Sequence, residues 1–275
     1  MMTFKAAVFD IDGTLAMMDK ETGAFTALPG AIEAINTCKA AGMAVVAYTN
    51  GTIFTPEHYY APLARAGIEL EPGHMMTPAV VAAHELARLG QKRVMVLAAE
   101  GVVEPVREAG VEIVAPKKGA GAVDAVLVGW TRDFDVHMLE AAADALWNGA
   151  PLYATSVAPY FASAKGKMMG ISGALVAGLQ NATGVEHTLF GKPSVAGLTM
   201  VSDLTGARPD EMIVIGDDPK LELLMARRAG AFALGVTTGG RDRAAFDAMS
   251  PETRAHIVLD TLEDFDLSAC QEDFA

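Results

Sequence analysis

Two aspartates, Asp10 and Asp12, lie two positions apart directly after a short apolar run at residues 6–9. A run that is apolar at every position is typical of a strand buried on both faces. Two carboxylates at the end of such a strand are costly unless a cation or hydrogen bonds compensate their charge. Such a pair can bind a metal ion, attack a phosphorus atom and move a proton. An ordinary turn at Asp12-Gly13 would give the same letters, so the pair alone does not decide the function.

Two further polar motifs supply groups that suit a phosphate. Thr49-Asn50-Gly51 follows an apolar run at 44–48 and offers a hydroxyl and turn N–H groups for an anionic oxygen, although Asn-Gly is also a common plain turn. Lys192 stands in Gly191-Lys192-Pro193, where a fixed lysine could neutralise charge in a phosphoryl transfer. Pro193 excludes a Walker A loop, because a Ser or Thr must follow Gly-Lys there.

A last motif, Gly216-Asp217-Asp218, follows the apolar run at 212–215. Carboxylate oxygens suit Mg²⁺, which takes one or two carboxylates together with waters and substrate phosphate. Each motif alone could be a solvated turn. The significant feature is their order, because ligands of open α/β sheets bind beyond the carboxyl ends of the strands.

The elements needed to position these residues can be predicted from the apolar pattern. Strands are predicted at 6–9, 44–48, 94–97, 125–128, 152–154 and 212–215, and helices at 31–41, 79–89, 136–148 and 221–229. The glycine-rich stretch 166–173 is predicted to be a loop. Strands alternating with helices indicate an α/β fold with a doubly wound, Rossmann-like parallel-sheet core. The middle block separates the motifs, so we expect a core of residues 1–79 and 184–275 and an inserted α/β cap domain of residues 80–183.

Composition narrows the classes of partner. The 275 residues carry a net charge of −13, which repels nucleic-acid phosphates and anionic lipid, so no nucleic-acid or membrane partner is expected. No apolar stretch is long enough for a membrane helix, and residues 1–5 do not resemble a signal peptide. We therefore expect a cytoplasmic protein, and its oligomeric state stays open between a monomer and a homodimer.

The ordered motifs resemble those of the haloacid dehalogenase (HAD) superfamily of phosphohydrolases. Further stretches resemble its NagD-like and p-nitrophenyl-phosphatase-like subfamily, which carries a large α/β (C2-type) cap; they are Pro29-Gly30-Ala31, Val128-Gly129, Gly173-Ala174-Leu175 and Thr183-Gly184. The resemblance covers nearly the whole chain. It implies Mg²⁺-dependent hydrolysis of a small phosphomonoester, so the expected partner is a small phosphorylated metabolite.

The resemblance also implies a role for each matching residue. Asp10 would be the nucleophile that forms an aspartyl-phosphate, and Asp12 would protonate the leaving oxygen and then help to activate water. Thr49, Asn50, Gly51 and Lys192 would hold the phosphoryl oxygens. Asp10, the Asp12 backbone carbonyl and Asp217 would bind Mg²⁺. Asp12 argues against a dehalogenase, because a leaving halide needs no proton and a leaving alkoxide does.

One departure and two alternatives accompany this prediction. The subfamily often has Thr-Asp-Ile where this chain has Leu221-Glu222-Leu223, so Glu222 keeps an acid that could bind the metal. One alternative is a phosphotransferase or mutase, which would need an acceptor that outcompetes water. The other is a catalytically silent phosphate-binding protein, against which the intact Asp10, Asp12, Lys192 and Asp217 argue.

Overall fold

The computed structural model describes residues 3–19, 21–163 and 166–274. Its strands are β1 Ala6–Phe9, β2 Ala16–Met18, β3 Phe25–Ala27, β4 Ala44–Tyr48, β5 Met75–Met76, β6 Arg93–Leu97, β7 Glu112–Val114, β8 Ala125–Val128, β9 Leu152–Ala154, β10 Tyr160–Ser163, β11 Gly166–Met169, β12 His187–Leu189, β13 Met212–Gly216, β14 Phe232–Val236 and β15 Ile257–Leu259. Its α-helices are α1 Ala31–Ala40, α2 Glu57–Arg65, α3 Pro78–Arg88, α4 Glu100–Glu108, α5 Val136–Trp147, α6 Ile171–Thr183, α7 Ala196–Thr205, α8 Glu222–Ala229, α9 Arg243–Asp247 and α10 Leu267–Asp273.

The chain divides into two compact units. The first comprises Met1–Thr49, Glu57–Met76 and Lys192–Ala275, and the second comprises Asn50–Pro56 and Thr77–Gly191. The predicted core boundary at residue 184 places strand β12 in the core. In the structure, β12 pairs with β9 in the sheet of the second unit. Whether the second unit acts as a cap stays a prediction.

The first unit contains a six-stranded parallel sheet in the order β15-β14-β13-β1-β4-β5. Strand β1 is buried at every position, as its wholly apolar sequence predicts. The chain adds β4 on one side of β1 and β13 on the other, so the strand order reverses at the centre of the sheet. Such a switch point opens a crevice at the carboxyl ends of the central strands.

The second unit contains a separate five-stranded parallel sheet in the order β12-β9-β8-β6-β7. Leu97, Val128 and Leu152 belong to its own hydrophobic core, which α5 and α6 cover. The predicted α/β class and the Rossmann-like parallel core are confirmed. The predicted loop at 166–173 is wrong, because β11 pairs antiparallel with β10 and α6 begins at Ile171.

None of the helices in the described parts of the chain is both long and apolar enough to cross a membrane.

Candidate active site

Asp10 lies at the carboxyl end of β1, at the centre of the first unit's sheet. Its backbone N–H donates to the Ile215 carbonyl at 2.9 Å, which continues the β1–β13 pairing one residue beyond the strand. The carboxyl group of Asp217 follows the end of β13. The sheet therefore brings to one edge two acids that are more than two hundred residues apart in sequence.

Lys192 contacts Asp10 directly. Its ammonium donates to Asp10 Oδ1 at 2.5 Å, to the Tyr48 carbonyl at 2.8 Å and pairs with Glu222 Oε1 at 2.6 Å. The side chain is only 1% exposed, and its partner Asp10 is 182 residues away in sequence. A buried ammonium is costly unless its three donors find acceptors, and here three oxygens surround it. The lysine is therefore fixed against the predicted nucleophile.

Glu222 contacts Lys192 as well as the segment that follows β13. One carboxylate oxygen pairs with Lys192, and the other accepts the Asp218 N–H at 3.2 Å. Asp218 itself pairs with Arg241 at 3.0 Å. Both oxygens therefore have protein donors, one of them Lys192, and a part for Glu222 in binding the metal stays a prediction. The sequence predicts an acid at the site but does not predict its contact with the lysine.

Burial raises the pKa of each of the three acids. The pKa of Asp10 rises to about 6, because burial outweighs the charge of Lys192, and the charges of Asp217 and Asp12 add to the rise. The pKa of Asp217 rises to about 6 through burial and the charge of Glu222. The pKa of Glu222 rises to about 7, again through burial against the opposing charge of Lys192.

Burial shifts the pKa of Lys192 in the opposite direction from the pKa values of the acids. Burial lowers the pKa of its ammonium, but the charges of Asp10 and Glu222 outweigh that effect and hold the pKa above its ordinary value. Full ionisation of Asp10, Asp217 and Glu222 would therefore leave more buried negative charge than one ammonium can balance.

The donor atoms of these residues fit the implied Mg²⁺. Among the described residues, no group of three or more His, Cys, Asp or Glu side chains is arranged to hold a metal ion. The implied set needs only two carboxylates, Asp10 and Asp217, with a backbone carbonyl, which is an ordinary number of protein ligands for Mg²⁺. The uncompensated carboxylate charge is the feature that a divalent cation would relieve.

The remaining predicted residues occupy three different settings. Asp12 follows the end of β1 and is exposed, which suits a group that exchanges protons with water. Thr49 is buried directly after β4, and its N–H donates to the Met76 carbonyl at 3.1 Å. Because Ala47 pairs with Phe9, Thr49 lies near the end of β1. Asn50 and Gly51 belong to the second unit, so their phosphate role stays a prediction.

A segment that sequence reasoning missed surrounds Asp217. Gly240 N–H donates to Asp217 Oδ2 at 3.1 Å, and Thr238 Oγ1 donates to the Gly13 carbonyl at 2.6 Å. A Cβ added to Gly239 would lie 1.8 Å from Asp217 Oδ2, so only glycine fits there. This segment follows β14, and the carboxyl end of β14 lies at the same sheet edge. The apolar run at 232–236 could have predicted this strand, and with it the position of the segment.

Two family models match the chain. A model described as haloacid dehalogenase-like hydrolase matches residues 7–112, and a HAD-hydrolase-like model matches residues 189–265. Haloacid dehalogenase-like hydrolase domain-containing protein 2 of Bos taurus is 29% identical over 248 residues, which cover 90% of this chain and 89% of that relative. The ribonucleotide monophosphatase NagD of Escherichia coli is 28% identical, with 90% of this chain and 93% of NagD covered.

Solved structures agree with these relatives. NagD from Escherichia coli K-12 superimposes with a TM-score of 0.83 at 26% identity and covers 97% of this chain and 100% of its own. A glycerol phosphate phosphatase from Mycobacterium tuberculosis, solved in complex with magnesium, gives a TM-score of 0.81 at 25% identity, with 94% of this chain and 75% of that chain covered. Matching models at both ends, full-length relatives and the buried Asp10–Lys192 contact agree: the chain belongs to the haloacid dehalogenase-like hydrolase family and is a NagD-like phosphatase within it.

Proposed function

We propose that this phosphatase hydrolyses a small phosphomonoester in two steps, through a phosphoryl group carried on Asp10. The observation that carries the proposal is the contact of 2.5 Å between Lys192 Nζ and Asp10 Oδ1 in a buried site. A cation at that distance offsets part of the cost of ionising the buried carboxylate and lies where negative charge develops during phosphoryl transfer. Thr49, buried beside the same strand end, supplies a hydroxyl for a phosphoryl oxygen.

In the first step, an Asp10 carboxylate oxygen attacks phosphorus and forms a phosphorus–oxygen bond as the bond to the ester oxygen breaks. Asp12 gives its proton to that departing oxygen, so the leaving group departs as an alcohol. In the second step, the Asp12 carboxylate takes a proton from water, and the water oxygen attacks phosphorus. The bond from phosphorus to Asp10 breaks, which releases phosphate and regenerates both carboxyl groups.

Asp10, the Asp12 backbone carbonyl and Asp217 are the residues that would hold Mg²⁺. When bound, the ion would neutralise phosphoryl charge and orient the phosphate for in-line attack. Gly240 and Gly239 keep the Asp217 carboxylate in place, the first by its N–H and the second by leaving room for the oxygen. These contacts favour a fixed ligand geometry, which Mg²⁺ requires more strictly than Ca²⁺ does.

The second unit is part of the same proposal, as a cap domain that restricts the site to small esters. Its support is the order of the chain, in which both segments of this unit lie between Thr49 and Lys192. The solved relatives named above act, by their printed names, on a ribonucleotide monophosphate and on glycerol phosphate, which are both small. Efficient hydrolysis of a phosphoprotein, in preference to such esters, would contradict the cap.

Asp10→Asn tests the proposal. An amide has nearly the same shape but is a poor nucleophile, so phosphate release from p-nitrophenyl phosphate should fall by about 10³-fold or more. Circular dichroism should show an intact fold, because Glu222 still pairs with Lys192. The matched control is Asp218→Asn, which alters a neighbouring acid outside the proposed nucleophile and metal set. An Asp10→Asn protein that keeps a substantial part of the wild-type rate would exclude Asp10 as the nucleophile.

A further inference from the structure

A cleft of about 540 Å³ lies in the second unit, and its lining includes none of the residues assigned above to phosphoryl transfer. Loop 117–123 forms one wall, and the last turns of α5 form the other. The lining residues outside the loop are Met95, Ala141, Asp144, Ala145 and Asn148. A cleft of this size is within the range that small-molecule sites occupy.

The cleft exists because one connection in the sheet contains no helix. Residues 115–124 lead from β7 to β8 and must cross β6, which lies between those strands. The connections from β6 to β7 and from β8 to β9 each contain a helix. An irregular loop takes the place of a helix on this face of the sheet, and open space remains between the loop and α5.

The loop is held in place by Arg93. Its guanidinium donates to the carbonyl oxygens of Ala120, at 2.9 Å, and Ala122, and to Glu112 at 2.9 Å. The Asp124 carboxylate accepts the Arg93 N–H at 2.9 Å and closes the loop at its far end. The loop therefore needs little further ordering to bind a ligand.

The backbone of the loop offers unused N–H groups. Gly119 and Gly121 both have φ of 79°, and Ala120 between them has negative φ. Backbone that alternates in this way makes a concave set of N–H groups that binds anions. In the described parts of the chain, the N–H groups of Gly119, Gly121 and Ala122 donate no hydrogen bond.

The side chains give the cleft a positively charged end, and an opposite end with a carboxylate and an amide. Lys117 and Lys118 are exposed, and neither makes an ion pair or a side-chain hydrogen bond with any described residue. Across the cleft stand the carboxylate of Asp144, which accepts no hydrogen bond from the described residues, and the amide of Asn148. Met95 and Ala141, which are both almost fully buried, add apolar atoms to the lining.

We propose that this cleft is a second ligand site, which binds a nucleotide with its phosphate on Lys117, Lys118 and the glycine loop, and its ribose and base toward Asp144 and Asn148. The anion-binding end calls for a phosphate, the carboxylate accepts hydroxyl or amino donors, and the apolar atoms of the lining suit a flat ring. The site is independent of the catalytic proposal, since it shares no residue with it.

The test follows the methyl group of Met95 by NMR in protein labelled with ¹³C at the methionine methyls, with EDTA present so that AMP is not hydrolysed. Met95→Leu identifies the signal. AMP should shift it saturably, while Lys117→Ala and Lys118→Ala should each weaken the affinity by about tenfold. Lys92→Ala, which removes an exposed lysine of the same unit outside the cleft, should leave the affinity unchanged.

Inorganic phosphate serves as a probe of the phosphate end of the cleft alone. Phosphate should bind more weakly than AMP, and its affinity should depend on the two lysines. Asp144→Ala should weaken the binding of AMP and leave the binding of phosphate unchanged. Turnover of p-nitrophenyl phosphate by Lys117→Ala should match the wild type, which shows that the fold is intact. A Met95 signal that AMP does not move, or AMP affinity indifferent to both lysines, overturns the site. Phosphate that binds as tightly as AMP overturns the nucleotide assignment.

Discussion

Lys192 is the residue on which the charges of the site depend. It is the only described cation in contact with Asp10 and Glu222, and both acids have a raised pKa despite that contact. Burial therefore dominates the electrostatics, and the lysine offsets only part of its cost. A site of this kind attracts a second positive charge, which explains how a chain with a net charge of −13 can handle phosphate.

Asp12 gives a prediction at the same scale. In Asp12→Asn the leaving oxygen receives no proton, so hydrolysis of an alkyl phosphate should fall by about 10²- to 10⁴-fold. The first step with p-nitrophenyl phosphate should fall much less, because p-nitrophenolate leaves readily without a proton. Pre-steady-state release of p-nitrophenol measures that step alone. Equal losses for the two esters would show that Asp12 is not the general acid.

At the scale of elements, the strand ends place the chemistry. Strands β1, β4 and β13 are followed directly by Asp10, Thr49 and Asp217, and the parallel pairing brings these residues to one edge. Wholly apolar runs made these strands predictable, and the acid or hydroxyl after each run marked the edge. The segment after β14 was not predictable as part of the site, because Thr238, Gly239 and Gly240 carry no charged group and act through backbone and space.

Gly239 and Gly240 form a matched pair for testing that segment. Gly239→Ala should displace the Asp217 carboxylate, because its Cβ would lie 1.8 Å from Oδ2. Activity should fall by about tenfold or more, and half-maximal activity should need a higher Mg²⁺ concentration. Gly240→Ala adds a methyl group that meets nothing within 4 Å and keeps the N–H that binds Asp217. Steady-state rates across a Mg²⁺ series measure both variants. Similar rates for the two would contradict the contact with Asp217.

The contacts of Glu222 show a further limit of the sequence. Its spacing from Asp217 indicates an acid at the site but does not say which neighbour each oxygen meets, since that depends on how α8 approaches β13. The structure places Glu222 against Gly216, where a Cβ would come within 2.5 Å of its side chain. The predicted boundary at residue 184 rests on the order of the motifs, because the short strand β12, which pairs with β9, has no strong apolar pattern to assign it to a sheet.

At the scale of the whole molecule, the raised pKa values link stability to pH. Asp10, Asp217 and Glu222 hold protons in the folded chain up to about pH 6 to 7, whereas the unfolded chain releases them near pH 4. The metal-free protein should therefore lose stability, on the order of a few kcal/mol, as pH rises from about 4 to 7. Lys192 also binds its proton more tightly in the folded chain, but the stability it contributes is lost only above this range, because its pKa is raised from 10.5.

Urea unfolding across this pH range, with and without Mg²⁺, measures the effect. Mg²⁺ should stabilise the protein more at pH 7.5 than at pH 5, since it competes with protons for the carboxylates. Glu222→Gln should flatten the metal-free slope, because its amide does not titrate. Metal-free stability that rises steadily from pH 5 to 7.5 would contradict the raised pKa values.

The phosphorylated Asp10 is the central claim, and borohydride trapping tests it most directly. Borohydride reduces an acyl phosphate to an alcohol but leaves a free carboxylate unchanged, so a phosphorylated aspartate becomes homoserine. Wild-type protein quenched with borohydride during turnover of p-nitrophenyl phosphate is digested and its peptides are sequenced by mass spectrometry. We predict homoserine at position 10 in the presence of substrate and Mg²⁺, and none without substrate or in Asp10→Asn. Homoserine at another aspartate, or unmodified Asp10 under rapid turnover, would contradict the two-step mechanism.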